Sequence, residues 1–198
     1  VKKMMKRWGA HMKVKYALLL LILLIVVAVV YFAVVTYPRS INTTIRGVNF
    51  QLGTEHINNV QPETLRIQGS LSTGLNGLQT FKGTITFDND SIPVPDESRE
   101  TTIHFDKYGY GPIVYGYIEN AGTSAAKPET FSYGVLFTNS DFSSITYLNM
   151  NKRGWNGGDG LMFAGPATTR KQALIISNEL MKKFLQSFDI GQGSYVLN

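Results

Sequence analysis

Residues 17–35 read ALLLLILLIVVAVVYFAVV, nineteen positions without a charge, an amide, a glycine or a proline. A helix of that length rises about 28 Å, close to the ~30 Å hydrocarbon layer of a bilayer. Backbone N–H and C=O groups in lipid need internal partners, so a helix is the form such a run takes there. Tyr16 and Tyr37 bracket it, where a ring with a polar tip favours the membrane interface. A helix buried in a globular domain would keep a polar face, and this run has none. The sequence therefore predicts a transmembrane signal anchor over residues 17–36.

Charge sets its direction. Lys2, Lys3, Lys6, Arg7, Lys13 and Lys15 precede the run, with no acidic residue among them. The thirteen other Lys and Arg face all 14 acidic residues, so the remainder of the chain is close to neutral. The net charge of +5 thus belongs to a short tail, which removes the electrostatic support for nucleic-acid binding by the rest. The positive-inside rule places the tail in the cytoplasm, against anionic lipid headgroups, and the C-terminal domain outside. The exit Val34-Val35-Thr36-Tyr37-Pro38 lacks the small-x-small pattern of a cleavage site, so the anchor is expected to stay. Ala28 and Ala33 are five apart, which gives no small-xxx-small face for pairing of spans. The expected plan is a basic cytoplasmic tail at 1–16, the anchor at 17–36, a short linker at 37–44 and an extracytoplasmic domain at 45–198.

Beyond the linker the apolar period is two. Leu65, Ile67, Gly69 and Leu71 alternate with polar residues, as do Phe81, Gly83, Ile85 and Phe87, and then Ile103 and Phe105. Phe131, Tyr133, Val135 and Phe137 continue the pattern, with Leu136 as its exception. Shorter runs cover residues 45–52, 113–118, 144–150 and 161–164. Such alternation marks half-buried strands of an antiparallel sheet. The turns between them are rich in Gly, Asn and Asp, as at Gly74-Leu75-Asn76-Gly77 and Asn156-Gly157-Gly158-Asp159-Gly160. One segment changes period. Thr169 to Gln172 fits a capping box, and Ala173, Ile176, Leu180 and Phe184, with Leu174, Met181, Leu185 and Phe188, follow at helical spacing before Gly191 and Gly193. The predicted fold class is α+β: the transmembrane helix, then an antiparallel sheet of six to eight strands packed by one C-terminal helix.

Chemical motifs are few. The absence of cysteine excludes disulfides, thiolate metal sites and a cysteine nucleophile. Ser124-Ala125-Ala126-Lys127 matches the SxxK pair of penicillin-binding proteins, but Gly122 and Pro128 flank it and no KTG follows. Asp88-Asn89-Asp90 offers oxygen ligands without the closing Glu of a calcium loop, since position 99 is Arg. His56 and His104 lack a third partner for zinc, and no cofactor is implied. Two ligand-binding candidates remain. Ile113, Tyr115 and Tyr117 share one face of a strand, where Tyr115 and Tyr117 could stack on a glycan or protein, or simply pack under the helix. Thr168, Thr169, Arg170 and Lys171 open the helix with free N–H groups and two cations, with Lys152 and Arg153 able to approach, which suits an anion. The layout is that of a signal-anchored binding domain of a bacterial, Gram-positive-type cell envelope, whose partner is an envelope protein or glycan. The catalytic alternative is an envelope-polymer hydrolase using paired carboxylates among Asp88, Asp90 and Asp159.

Overall fold

The computed structural model describes residues 2–89, 91–150, 154–187 and 196–198; within the first helix, side chains are described at 15, 16, 18–34 and 36. The chain divides into two compact units, Val1–Tyr37 and Pro38–Asn198. The first is a single helix, α1 (Lys2–Thr36). Among the described residues no helix is long and apolar enough to cross a membrane. Described side chains run unbroken only from 18 to 34, and positions 17 and 35, which the sequence counts in the span, lie outside them.

The second unit begins without a linker. Strand β1 (Arg39–Gln51) takes in residues 39–44, which pair with residues 66–71 of β2 (Val60–Thr73). The expected linker at 37–44 is thus mostly strand, because Ser40, Asn42 and Thr44 supply a polar outer face while Ile41 reaches the core. There follow β3 (Gln79–Phe87), β4 (Thr101–His104), β5 (Gly111–Glu119), β6 (Lys127–Thr138), β7 (Ile145–Asn149) and β8 (Leu161–Gly165). All eight runs of alternation became strands of one sheet, ordered β4-β3-β2-β1-β8-β7-β6-β5 and antiparallel at every pair.

That order is an up-and-down meander in which the last strand returns to the first. The sheet curls until its edges, β4 and β5, face each other. The Thr101 hydroxyl donates to the Val114 carbonyl at 3.1 Å, and the buried Tyr115 hydroxyl donates to the Ile85 carbonyl at 3.2 Å. The result is a nearly closed barrel rather than an open sheet. Its interior is a packed core: Phe87 lies 5.1 Å from Phe163 and 5.0 Å from Tyr147, and Phe81 lies 5.4 Å from Phe142. Eight strands leave room for side chains and little else.

A second core lies outside the barrel wall. Helix α2 (Arg170–Leu180) and the short α3 (Lys182–Gln186) bring Ala173, Met181 and Leu185 against Val48, Phe50 and Leu148. The single helix expected from the spacing is broken at Met181, which is fully buried with ψ at 0°. Phe188, Gly191 and Gly193 lie outside the described residues. The helices cover the β1, β8, β7 and β6 side, so those strands are apolar on both faces where they lie beneath them. This corrects the reading of β6. Its register shifts opposite Ile113 and Val114, where Gly134 and then Ser132 are the partners and Tyr133 is the extra residue. A bulge flips side-chain phase. Tyr133 and Leu136 therefore face the interior, while Val135 and Phe137 join the helix side.

Candidate functional site

The helix start is occupied by its own residues. Thr169 caps α2 by accepting from the Gln172 N–H at 3.3 Å, and the Gln172 side-chain oxygen accepts from the Thr168 N–H at 2.9 Å and its hydroxyl at 3.0 Å. Arg170 points away from that end. Its guanidinium donates twice to the Gln51 carbonyl, at 3.1 and 3.2 Å, and once to the Gly53 carbonyl at 3.1 Å. It ties the end of β1 to the helix. Lys171 is exposed, and Lys152 and Arg153 lie outside the described residues. Helix-dipole reasoning alone expects Arg170→Glu to gain a few tenths of a kcal/mol in the absence of an anion. These three bonds reverse the sign. The substitution should cost about 1.5–3 kcal/mol, since it removes charge-assisted donors and sets a carboxylate against two carbonyls. A urea titration measures it, and an unchanged midpoint would refute this account of Arg170.

The tyrosines also lie elsewhere than a ligand face would need. Tyr115 is 1% exposed inside the barrel, not under the helix, and Tyr117 is half-buried against the same core. The ring that does pack under the helices is Tyr110, stacked on Phe184 with centroids 5.8 Å apart. Ser124 sits in a turn and Lys127 opens β6, its ammonium held between Glu119 at 3.0 Å and Glu129 at 2.7 Å. Those two carboxylates push its pKa well above the usual lysine range. Asp88 is paired with Arg66 rather than with another carboxylate, through two bonds at 2.8 and 3.0 Å, and its pKa is lowered chiefly by that hydrogen bonding. Asp159 accepts from the Asn156 amide, and Asp90 lies outside the described residues. Among the described residues no group of three metal-ligating side chains forms.

What the fold does assemble is a polar mouth at one end of the barrel. On β2 the inward file runs Leu71, Ile67, Leu65 and then Glu63, which is 5% exposed. Asn49 on β1, in phase with the inward Ile45, and Asn149 on β7, in phase with the inward Tyr147, continue their files in the same way. With Gln61, Asn59 and Asn89 they line a cavity of about 240 Å³. The buried rings of Phe87 and Tyr147 also border it. Among the described residues Glu63 is held by neutral donors. The Thr64 N–H reaches Oε1 at 2.7 Å, the Asn89 amide reaches Oε1 at 3.3 Å, and the Asn49 amide reaches Oε2 at 3.3 Å. Among the described residues no Lys, Arg or His forms an ion pair with it. A larger groove of about 780 Å³, bordered by Tyr108, Tyr110, Trp155 and Phe184, is mostly apolar. Asp106, its carboxylate among the described residues, is engaged by the N–H groups of Tyr108 and Tyr110.

Buried carboxylates are normally paired or fully hydrogen-bonded, and their lone pairs accommodate about four donors. Among the described residues Glu63 has three, two of them long. The mouth can therefore still accept hydrogen bonds from a guest, while its amides both donate and accept. Among the described residues it presents one carboxylate, where hydrolysis of a glycosidic bond by the usual route uses two that converge. Comparison with protein-family models, with curated proteins and with solved structures finds no match for this chain.

Proposed function

We propose that this chain is a single-pass membrane protein whose barrel domain stands outside the cytoplasmic membrane and binds a small polar ligand of the cell envelope in its mouth, without catalysis. The observation that carries the reading is Glu63, a buried carboxylate with neutral partners at the wall of a cavity lined also by amides, by Phe50, Phe87 and Tyr147, and by Leu161 and Met162. Mouths of small barrels and concave sites with a few convergent polar groups are where small ligands sit. Two features support the membrane half. The large apolar side chains from Leu18 to Val34 are all exposed on α1, the least of them, Ile22, at 49%, a contiguous apolar surface that water does not favour. Six cations precede that stretch with no acid among them, which directs the basic segment to the cytoplasm and to anionic lipid.

One experiment reads both halves. The full chain with a C-terminal tag, expressed in a bacterium and treated with protease at the outer face, should lose the tag. The same chain in micelles, titrated with soluble envelope glycan fragments, should shift the side-chain amide signals of Asn49, Asn89 and Asn149. A protected tag would overturn the topology. Shifts that spare all three amides would overturn the mouth as the site.

A further inference from the structure

We infer that the ligand of the mouth carries a protonated primary amine, and that an amino sugar of one ring is the class that fits. The inference rests on the mouth being the binding site and adds its selectivity. Neutral hydroxyls would be served by amides alone, as Asn49, Gln61 and Asn149 could serve them. A carboxylate at 5% exposure adds a desolvation penalty that one N–H at 2.7 Å and two amides at 3.3 Å, all neutral, offset only in part. An arriving ammonium removes that penalty by supplying the missing counter-charge and up to three donors. Among the described residues the lining holds no Lys, Arg or His, and Glu63 is its one charged side chain. The amide oxygens of Asn59 and Gln61 at the rim then accept from hydroxyls. A cavity of about 240 Å³ is below the usual range for larger organic ligands, so it takes one ring rather than a chain of them.

The test titrates the full chain in micelles with glucosamine, N-acetylglucosamine and glucose, reading heat and the side-chain amide signals of Asn49 and Asn89. Glucosamine should bind about tenfold or more tighter than the two neutral sugars, the gain expected of one charge-assisted contact. Glu63→Gln keeps the shape and removes the charge. It should abolish the preference and leave glucose within about twofold of its original affinity, a change too small to signal a lost contact. Asn149→Lys places an ammonium in the mouth from within, and should block glucosamine even if Glu63→Gln folds poorly. Equal affinities for charged and neutral sugars, with the mouth amides shifting for both, would overturn the charge selection and leave the mouth as a binding site. Glucosamine binding undiminished in both variants would also overturn it. Amides that move with none of the three sugars would overturn this inference, while the envelope-fragment titration judges the mouth separately.

Discussion

A chain of residues 38–198 should melt cooperatively, and one ending at Ala167 should not melt cooperatively at all. Residues 38–198 form their own compact unit, so the first is expected to fold without α1. The second loses α2, α3 and the C-terminal residues that close the outer core. Ala173, Met181, Leu185 and Leu197 are buried there, and Leu174, Ile176, Leu180 and Phe184 partly so. At about 1.5–3 kcal/mol for each large apolar side chain fully buried, and less for those partly so, the loss is comparable with the ~5–15 kcal/mol that holds a typical domain together. It also strips Val48, Phe50, Val135, Phe137 and Met162 of their cover. Thr146 and Ser177, both fully buried and 2.9 Å apart through their hydroxyls, lose each other as well. Aggregation of the shorter chain, with loss of near-ultraviolet dichroism, is the expected result. A monomeric, cooperatively melting 38–167 would show that the barrel stands without its helices.

The strands were legible because each contributes a file of apolar residues at period two, and that file needs no knowledge of partners. The barrel was not, since closure depends on β1 meeting β8 across more than a hundred residues of sequence, through only four register pairs from Val48↔Ala164 to Gln51↔Leu161. Without that pairing the same pattern reads as an open sheet whose inner face awaits a helix. Curling the sheet supplies the inner face with its own core, and the helix then covers the outside. The bulge in β6 was hidden for a related reason. Both faces of that strand are buried near Leu136, so the apolar residues on either side of the phase change look like one continuous file.

The mouth left a signal that alternation arguments pass over. Glu63, Asn49 and Asn149 occupy core-phase positions next to Leu65, Ile45 and Tyr147, and polar residues in core phase at the ends of several strands mark a polar pocket. Reading each as a frayed strand end misses that three of them meet. The role of Arg170 at the helix start was hidden by distance in sequence. Nothing near Arg170 predicts that its partners are the carbonyls of Gln51 and Gly53, 119 and 117 residues away. The capping box, by contrast, is a local device and was visible in four residues.

Gly47→Leu should destabilise the barrel by at least about 3 kcal/mol, at the upper end of what overpacking costs. Gly47 lies opposite Glu63 across the β1–β2 ladder and one step inward from Asn49, where β1 passes under the β8 ring of Phe163. A Cβ there would meet that ring at 2.7 Å and the Ala164 carbonyl oxygen closer still. Neither neighbour yields cheaply. The carbonyl is backbone on the strand next to β1, and the Phe163 ring is fully buried with Phe87 5.1 Å away. Relief would require β1 and β8 to part, and their pairing is what turns the meander back on itself. Gly116→Ala is the control. It sits on β5 with nothing within 4 Å of the added carbon, so it should be neutral or gain up to about 1 kcal/mol through a less free unfolded chain. Urea titrations of residues 38–198 carrying each change give the comparison. If Gly47→Leu held the midpoint of the control, the close approach of β1 to β8 would not be what keeps the barrel shut.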